Sequence, residues 1–140
     1  MNYDKILVAV DHSPAADRAV LAARDLAVLS NGEVWVLHLR EHEAGSKVGP
    51  VPPSETSKEA TASVDAVVKV FTDAGVKAHG EVWNTIFGYA AREIVADAKN
   101  HEVDVIVMGS RGHGDLVGLV LGSTAHKVIH LTDRPVLVIR

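Results

Sequence analysis

Val103-Asp104-Val105-Ile106-Val107-Met108-Gly109-Ser110-Arg111-Gly112-His113-Gly114-Asp115 is an apolar run that breaks into a glycine-rich loop. Gly122-Ser123-Thr124 closes the loop, and from about Leu121 a helical stripe of Ala125, Val128 and Ile129 follows. Strand, glycine loop and helix N-terminus together make the layout of a phosphate-binding turn. The first N–H groups of a helix have no intrahelical partner and meet an anion readily. Gly109 and Gly112 are expected to bracket a tight turn where a side chain would block a ligand. Ser123 and Thr124 are expected to cap the helix with their hydroxyls toward the same anion. No Gly-Lys-Ser/Thr sequence is present, so the P-loop lysine is missing. Phosphate charge then falls to backbone N–H groups, a metal ion, and Arg111, His113 or Lys127.

The rest of the chain repeats the alternation. Lys5-Ile6-Leu7-Val8-Ala9-Val10 is continuously apolar, as a strand buried on both faces must be. Ser13-Pro14 reads as N-cap and first position of a helix. That helix carries Ala16, Ala19, Val20, Ala23, Leu26 and Ala27 on one small-residue face and stops at Asn31-Gly32. Glu33 to Leu39 is the second strand, and Arg40 to Ser54 reads as a polar surface loop. A helical stripe of Ala60, Val64, Val67, Val68 and Phe71 runs from Ser54 to near Gly75. Val76 to Trp83 is the third strand. Ile86 to Asn100 is the third helix, with Phe87, Ala90, Ala91, Ile94, Val95 and Ala98 on one face. Val103 to Met108 is the fourth strand. Asp133-Arg134-Pro135 breaks the last helix before the strand Val136–Ile139.

Strands alternating with helices throughout residues 1–140 give one α/β domain. The fold class is a three-layer sandwich, a five-stranded parallel sheet with helices on both faces, Rossmann-like. Right-handed crossovers that cover both faces require one reversal of winding, which gives the order 3-2-1-4-5. The switch point then lies between the first and fourth strands, and ligands bind outside the carboxyl ends there. Those ends are Asp11 and Gly109, so the topology brings an acidic turn to the glycine loop.

Composition removes whole classes of function. With 18 acidic against 14 basic residues the formal net charge is −4, which argues against a general nucleic-acid binder. The absence of cysteine excludes disulfides, thiolate metal sites and cysteine nucleophiles. No apolar run approaches the roughly 20 residues that span a bilayer. The Met1–Lys5 segment enters a strand pattern with no signal-peptide core, so a cytoplasmic location is expected.

Gly109-x-x-Gly112, nine residues, then Gly122-Ser123-Thr124 resembles the G-2x-G-9x-G-(S/T) nucleotide motif of the universal stress protein family. Val8-Ala9-Val10-Asp11-x-Ser13, Val36-Leu37-His38-Leu39 and Arg134-Pro135-Val136-Leu137-Val138 resemble the same family, so the likeness covers nearly the whole chain. It implies the same strand order, in the adenine nucleotide alpha hydrolase-like group of folds. It also implies ATP binding, with magnesium or manganese accompanying the triphosphate. By the same likeness, Ala9 and Asp11 match adenosine-site positions and Leu39 an adenine-side position. Met108 and Gly109 match ribose positions, and Gly112, Gly122, Ser123 and Thr124 phosphate positions. The family typically dimerises through its last strand and hydrolyses ATP slowly where it does so at all, which makes the nucleotide a signal in a stress response.

Other readings stand beside this one. Asp115 inside the loop would repel a phosphate unless a metal ion lies between them, which keeps AMP or cyclic AMP as an alternative ligand. A slow ATPase or a self-phosphorylating protein is a second alternative, although no residue stands out as an activator of water. Arg111 lies in the loop and either meets phosphate or points to solvent. His126 and His130 have the i, i+4 spacing of a zinc pair, but no third ligand accompanies them, and histidines late in a helix complement its dipole. His38, inside an apolar strand, is expected to be a satisfied core group. Trp35, Trp83 and Phe71 are expected in the core. Val136–Ile139 would be a short apolar edge, and two such edges pair into a closed twofold homodimer.

Overall fold

Both faces of the first strand are apolar because both are covered. The computed structural model describes residues 2–42, 55–112 and 121–140. Those residues form β1 (Lys5–Val10), α1 (Pro14–Ser30), β2 (Glu33–His42), α2 (Ser57–Thr72), β3 (Ala78–Ile86), α3 (Ala90–Asn100), β4 (Val105–Gly109), α4 (Ser123–Leu131) and β5 (Val136–Ile139). The strands make one parallel sheet in the order β3-β2-β1-β4-β5, as the alternation requires. Ile6, Val8 and Val10 of β1 pack under α1 and α2 with Ala19, Ala23, Val64 and Phe71. Leu7, on the opposite face, packs under α3 and α4 with Ala91, Ile94, Ala125 and Val128. Among the described residues no helix is long and apolar enough to cross a membrane.

Local chemistry sets the helix ends. Ser13 caps α1 by accepting the Ala16 N–H at 3.1 Å, and Pro14 follows at the first position. Asn31 ends α1 in the left-handed region at φ 55°. Thr56 and Glu59 form a capping box at the start of α2, so that helix begins at Ser57 and not at Ser54.

Several boundaries differ from the sequence expectation, and the parallel ladder explains most of them. β2 runs through Arg40, Glu41 and His42, because β3 offers Asn84, Thr85 and Ile86 as partners. Ile86 therefore ends a strand and does not begin α3. Gly88 sits at φ 92° and breaks the chain before Ala90. Phe87 is thereby left 71% exposed, off the apolar face of α3. Trp83 and Ile129 are also substantially exposed, whereas Trp35 and Phe71 are buried. Most of the expected 40–54 loop, together with His113 and Asp115, lies outside the described residues.

One core group breaks the apolar pattern. Asp97 of α3 is fully buried. Burial above all, and then the neighbouring Glu81 carboxyl, raise its pKa to about 8 from the usual 3.8. Below about pH 4 the group is protonated folded and unfolded alike and adds no pH dependence. Between about pH 4 and pH 8 only the folded state holds the proton, so stability falls as pH rises, and above that range the penalty is complete. Urea unfolding of chelator-treated protein is therefore expected to show Asp97→Asn gaining stability over wild type progressively from about pH 4 to about pH 8. A gain independent of pH contradicts this.

Candidate functional site

A cavity of about 620 Å³ opens where the winding reverses, at the carboxyl ends of β1 and β4. That volume is within the usual range for small-molecule sites. All ten residues singled out from the sequence lie on its wall: Ala9, Asp11, Leu39, Met108, Gly109, Arg111, Gly112, Gly122, Ser123 and Thr124. They come from four separate segments. β1 supplies Ala9 and, just past its end, Asp11. β2 supplies Leu39, β4 and the turn after it supply Met108, Gly109, Arg111 and Gly112, and the start of α4 supplies the last three. Lys127 joins them from the next turn of α4.

The cavity has two chemically different ends. One wall is small and apolar, built from Ala9, Leu37, Leu39, Ala91, Ile94 and Met108. The other is the start of α4, whose N-cap is Gly122 with no side-chain cap. Ser123 and Thr124 therefore occupy the first turn and do not cap it, contrary to expectation. A helix end without a side-chain cap leaves its N–H groups available to an anion. The Gly122 N–H itself donates to the Ser110 carbonyl, and Ser110 N–H donates to the Ile139 carbonyl at 2.6 Å. These bonds anchor both sides of the glycine loop to the sheet.

Gly109 acts differently from the sequence expectation. A Cβ built there would lie 2.8 Å from Ala15 Cβ and 2.9 Å from the Ala15 carbonyl carbon. Its missing side chain admits the first turn of α1, and the ligand space is a secondary beneficiary. Asp11 also has a local task, since its Oδ1 accepts the Ser13 N–H at 3.0 Å. Ser13 Oγ in turn donates to the Arg111 carbonyl at 3.4 Å, tying the acidic turn to the glycine loop.

Four polar wall residues, His12, His38, Glu41 and Glu55, were not placed here by sequence reasoning. His38 is buried as expected. Its Nδ1 lies 2.9 Å from the Val10 carbonyl, to which it donates, and its Nε2 meets the Glu55 carboxylate. His12 stands at φ 65°, rare for a residue with a side chain, and its ring lies tilted against that of His38, with centroids 4.6 Å apart. Glu41 read as a solvated loop residue. Burial, and then the charge of Asp11, push its pKa up, with His38 opposing. Continuous β2 pairing, which no local pattern announced, carries Glu41 into the wall.

Among the described residues two sets of three donors converge closely enough to hold a metal ion: His12, His38 and Glu55, and Glu81, Asp97 and His101. Each draws on more than one element of the chain, so spacing could not reveal it. His126 and His130, which spacing did bring forward, pack edge to face at 4.6 Å and belong to neither set.

The model of the universal stress protein family matches residues 2–140. Universal stress protein YxiE of Bacillus subtilis is 33% identical over 150 residues, covering 99% of each chain. Universal stress protein MJ0577 of Methanocaldococcus jannaschii is 28% identical over 157 residues. Its solved structure superposes with a TM-score of 0.82 at 27% identity, over 99% of this chain and 96% of that one. A universal stress protein from Archaeoglobus fulgidus, solved in complex with dAMP, has a TM-score of 0.71 at 24% identity over the full length of both chains, a likeness of fold.

The close approach at Gly109 is directly testable. Gly109→Ala places a carbon against α1 backbone and is expected to lower stability by about 1–3 kcal/mol in urea unfolding. A neutral substitution would mean that α1 stands farther from β4 than described.

Proposed function

The chain belongs to the universal stress protein family, and from that premise we propose that it binds an adenine nucleotide, ATP, in the cavity between β1 and β4. The nucleotide serves as a regulatory signal in a stress response, in the cytoplasm, and turnover is at most slow. The supporting observation is convergence: every position matching the family's nucleotide motif lies on one wall system, with the uncapped start of α4 at one end.

Each part of the ligand meets chemistry suited to it. The base and ribose lie along Ala9, Leu39, Met108 and Gly109, with Asp11 toward the ribose. The phosphates lie at Gly112, Gly122, Ser123 and Thr124, where the first-turn N–H groups of Ser123 and Thr124 and the Lys127 ammonium replace the absent P-loop lysine. Magnesium or manganese prefers oxygen donors and arrives with the phosphates. The Thr124 hydroxyl is an oxygen donor on the phosphate side of that wall and suits such an ion.

β5 is an edge of the sheet, with Leu137 39% exposed. Pairing of two β5 edges around a twofold axis gives the homodimer we propose.

Two outcomes check these proposals. A carboxylate in the first turn of a helix favours the helix but repels phosphate. Ser123→Asp is therefore expected to keep the melting temperature while weakening ATP, in calorimetry with magnesium, by at least about tenfold. Unchanged affinity places the phosphates elsewhere, and tighter binding of AMP or cyclic AMP than of ATP replaces the ligand. Leu137→Lys is expected to shift the protein from dimer to monomer in sedimentation, because a charged edge resists pairing. A dimer that persists locates the interface elsewhere.

A further inference from the structure

Asp97 is fully buried, and neither of its carboxylate oxygens has a hydrogen-bond partner. An orphaned buried polar group of this kind is expensive and calls for an explanation. Two further donors point at it. Glu81 reaches it from β3, beside Leu37 of β2, and its Oε2 is likewise buried and unpartnered. His101 closes the end of α3. Its Nε2 lies 2.6 Å from Glu81 Oε1 and 3.4 Å from Asp97 Oδ1. One donor atom from each of the three lies within 4.8 Å of the others.

A single proton shared between Glu81 Oε2 and one Asp97 oxygen still leaves the other Asp97 oxygen without a hydrogen bond. A cation meets both carboxylates and the imidazole at once and removes the repulsion between the two acids. Metal–ligand bonds of about 2.0–2.2 Å in tetrahedral geometry hold neighbouring ligand atoms about 3.3–3.5 Å apart. The His101–Asp97 spacing is already there. The His101–Glu81 pair needs to open by less than about 1 Å. A nitrogen donor beside two carboxylates suits a zinc-like ion better than magnesium, which keeps to oxygen.

We infer that Glu81, Asp97 and His101 form a binding site for a divalent transition-metal ion of the zinc class, with water in the fourth position. None of the three lines the nucleotide cavity, so the site is independent of the proposed function. The side chains of Glu81 and His101 are about one-fifth to one-quarter exposed and give the ion its way in. The bound ion ties β3, an edge strand, to the end of α3, and so stabilises the folded state.

Trp35 supplies the readout. Its ring stacks on that of His101 at 4.8 Å. The sequence has two tryptophans, so Trp83→Phe leaves Trp35 alone. In that full-length, metal-stripped background, titrated cobalt(II) is expected to quench the fluorescence saturably, and zinc(II) to reverse the quench by competition. Asp97→Asn, which removes the carboxylate ligand and keeps the shape, is expected to weaken cobalt(II) at least about tenfold, and the partly exposed His101→Gln likewise. A quench without saturation, one that survives both variants, or one abolished by His12→Ala overturns the assignment.

Discussion

The pairing of β1 with β4 governs the rest of the molecule. It sets Leu7 beside Ile106 and Val8 beside Val107, residues from opposite ends of the chain. Closing so long a loop costs entropy, and the cost is met only when both strands are buried on both faces. Both are, since α1 and α2 cover one side and α3 and α4 the other. The chain leaves β1 toward one layer and approaches β4 from the other. The helices diverge at that point and leave an opening that no connection crosses. The cavity is thus a consequence of the winding, and the residues around it refine what the topology provides.

Small residues set how closely the walls approach. Gly109 lets the first turn of α1 rest against the end of β4, and Ala9 and Ala16 keep the adjoining wall low. Hydrogen bonds from Ser13 to the Arg111 carbonyl, from Gly122 to Ser110 and from Ser110 to Ile139 hold the glycine loop to elements on both sides. The acidic groups Asp11, Glu41 and Glu55 lie toward the β1 and β2 ends, while the start of α4 and Lys127 lie toward the other. This division of charge gives a ligand with one polyanionic end a single favourable direction. The Glu81, Asp97 and His101 cluster lies outside that cavity, where α3 closes against the sheet on the side of Trp35.

The strand order was legible because continuous apolar runs at Ile6–Val10 and Val105–Met108 admit only a doubly covered sheet. The site was legible because the motif residues follow strand ends directly, and topology alone brings those ends together. What escaped the sequence depends on pairing at a distance. Arg40 to His42 are polar and read as loop, yet they extend β2 because β3 lies beside them. Phe87 and Ile86 fit a helical stripe, and the positive φ of Gly88 decides otherwise. Gly109 reads as a ligand-facing glycine, while a side chain there would first meet Ala15, 94 residues earlier in the chain. Asp97 and His101 share an i, i+4 spacing at the end of α3, but Glu81 joins them only through the packing of β3.

Amide hydrogen exchange with and without ATP and magnesium tests the central claim most directly, because it locates the ligand without altering a residue. Nucleotide in the switch-point cavity predicts added protection confined to the β1–α1 turn at Asp11–Ser13, the end of β4 at Gly109–Gly112 and the first turn of α4 at Ser123–Ala125. Protection elsewhere in the chain, or none at saturating ATP, would contradict the account.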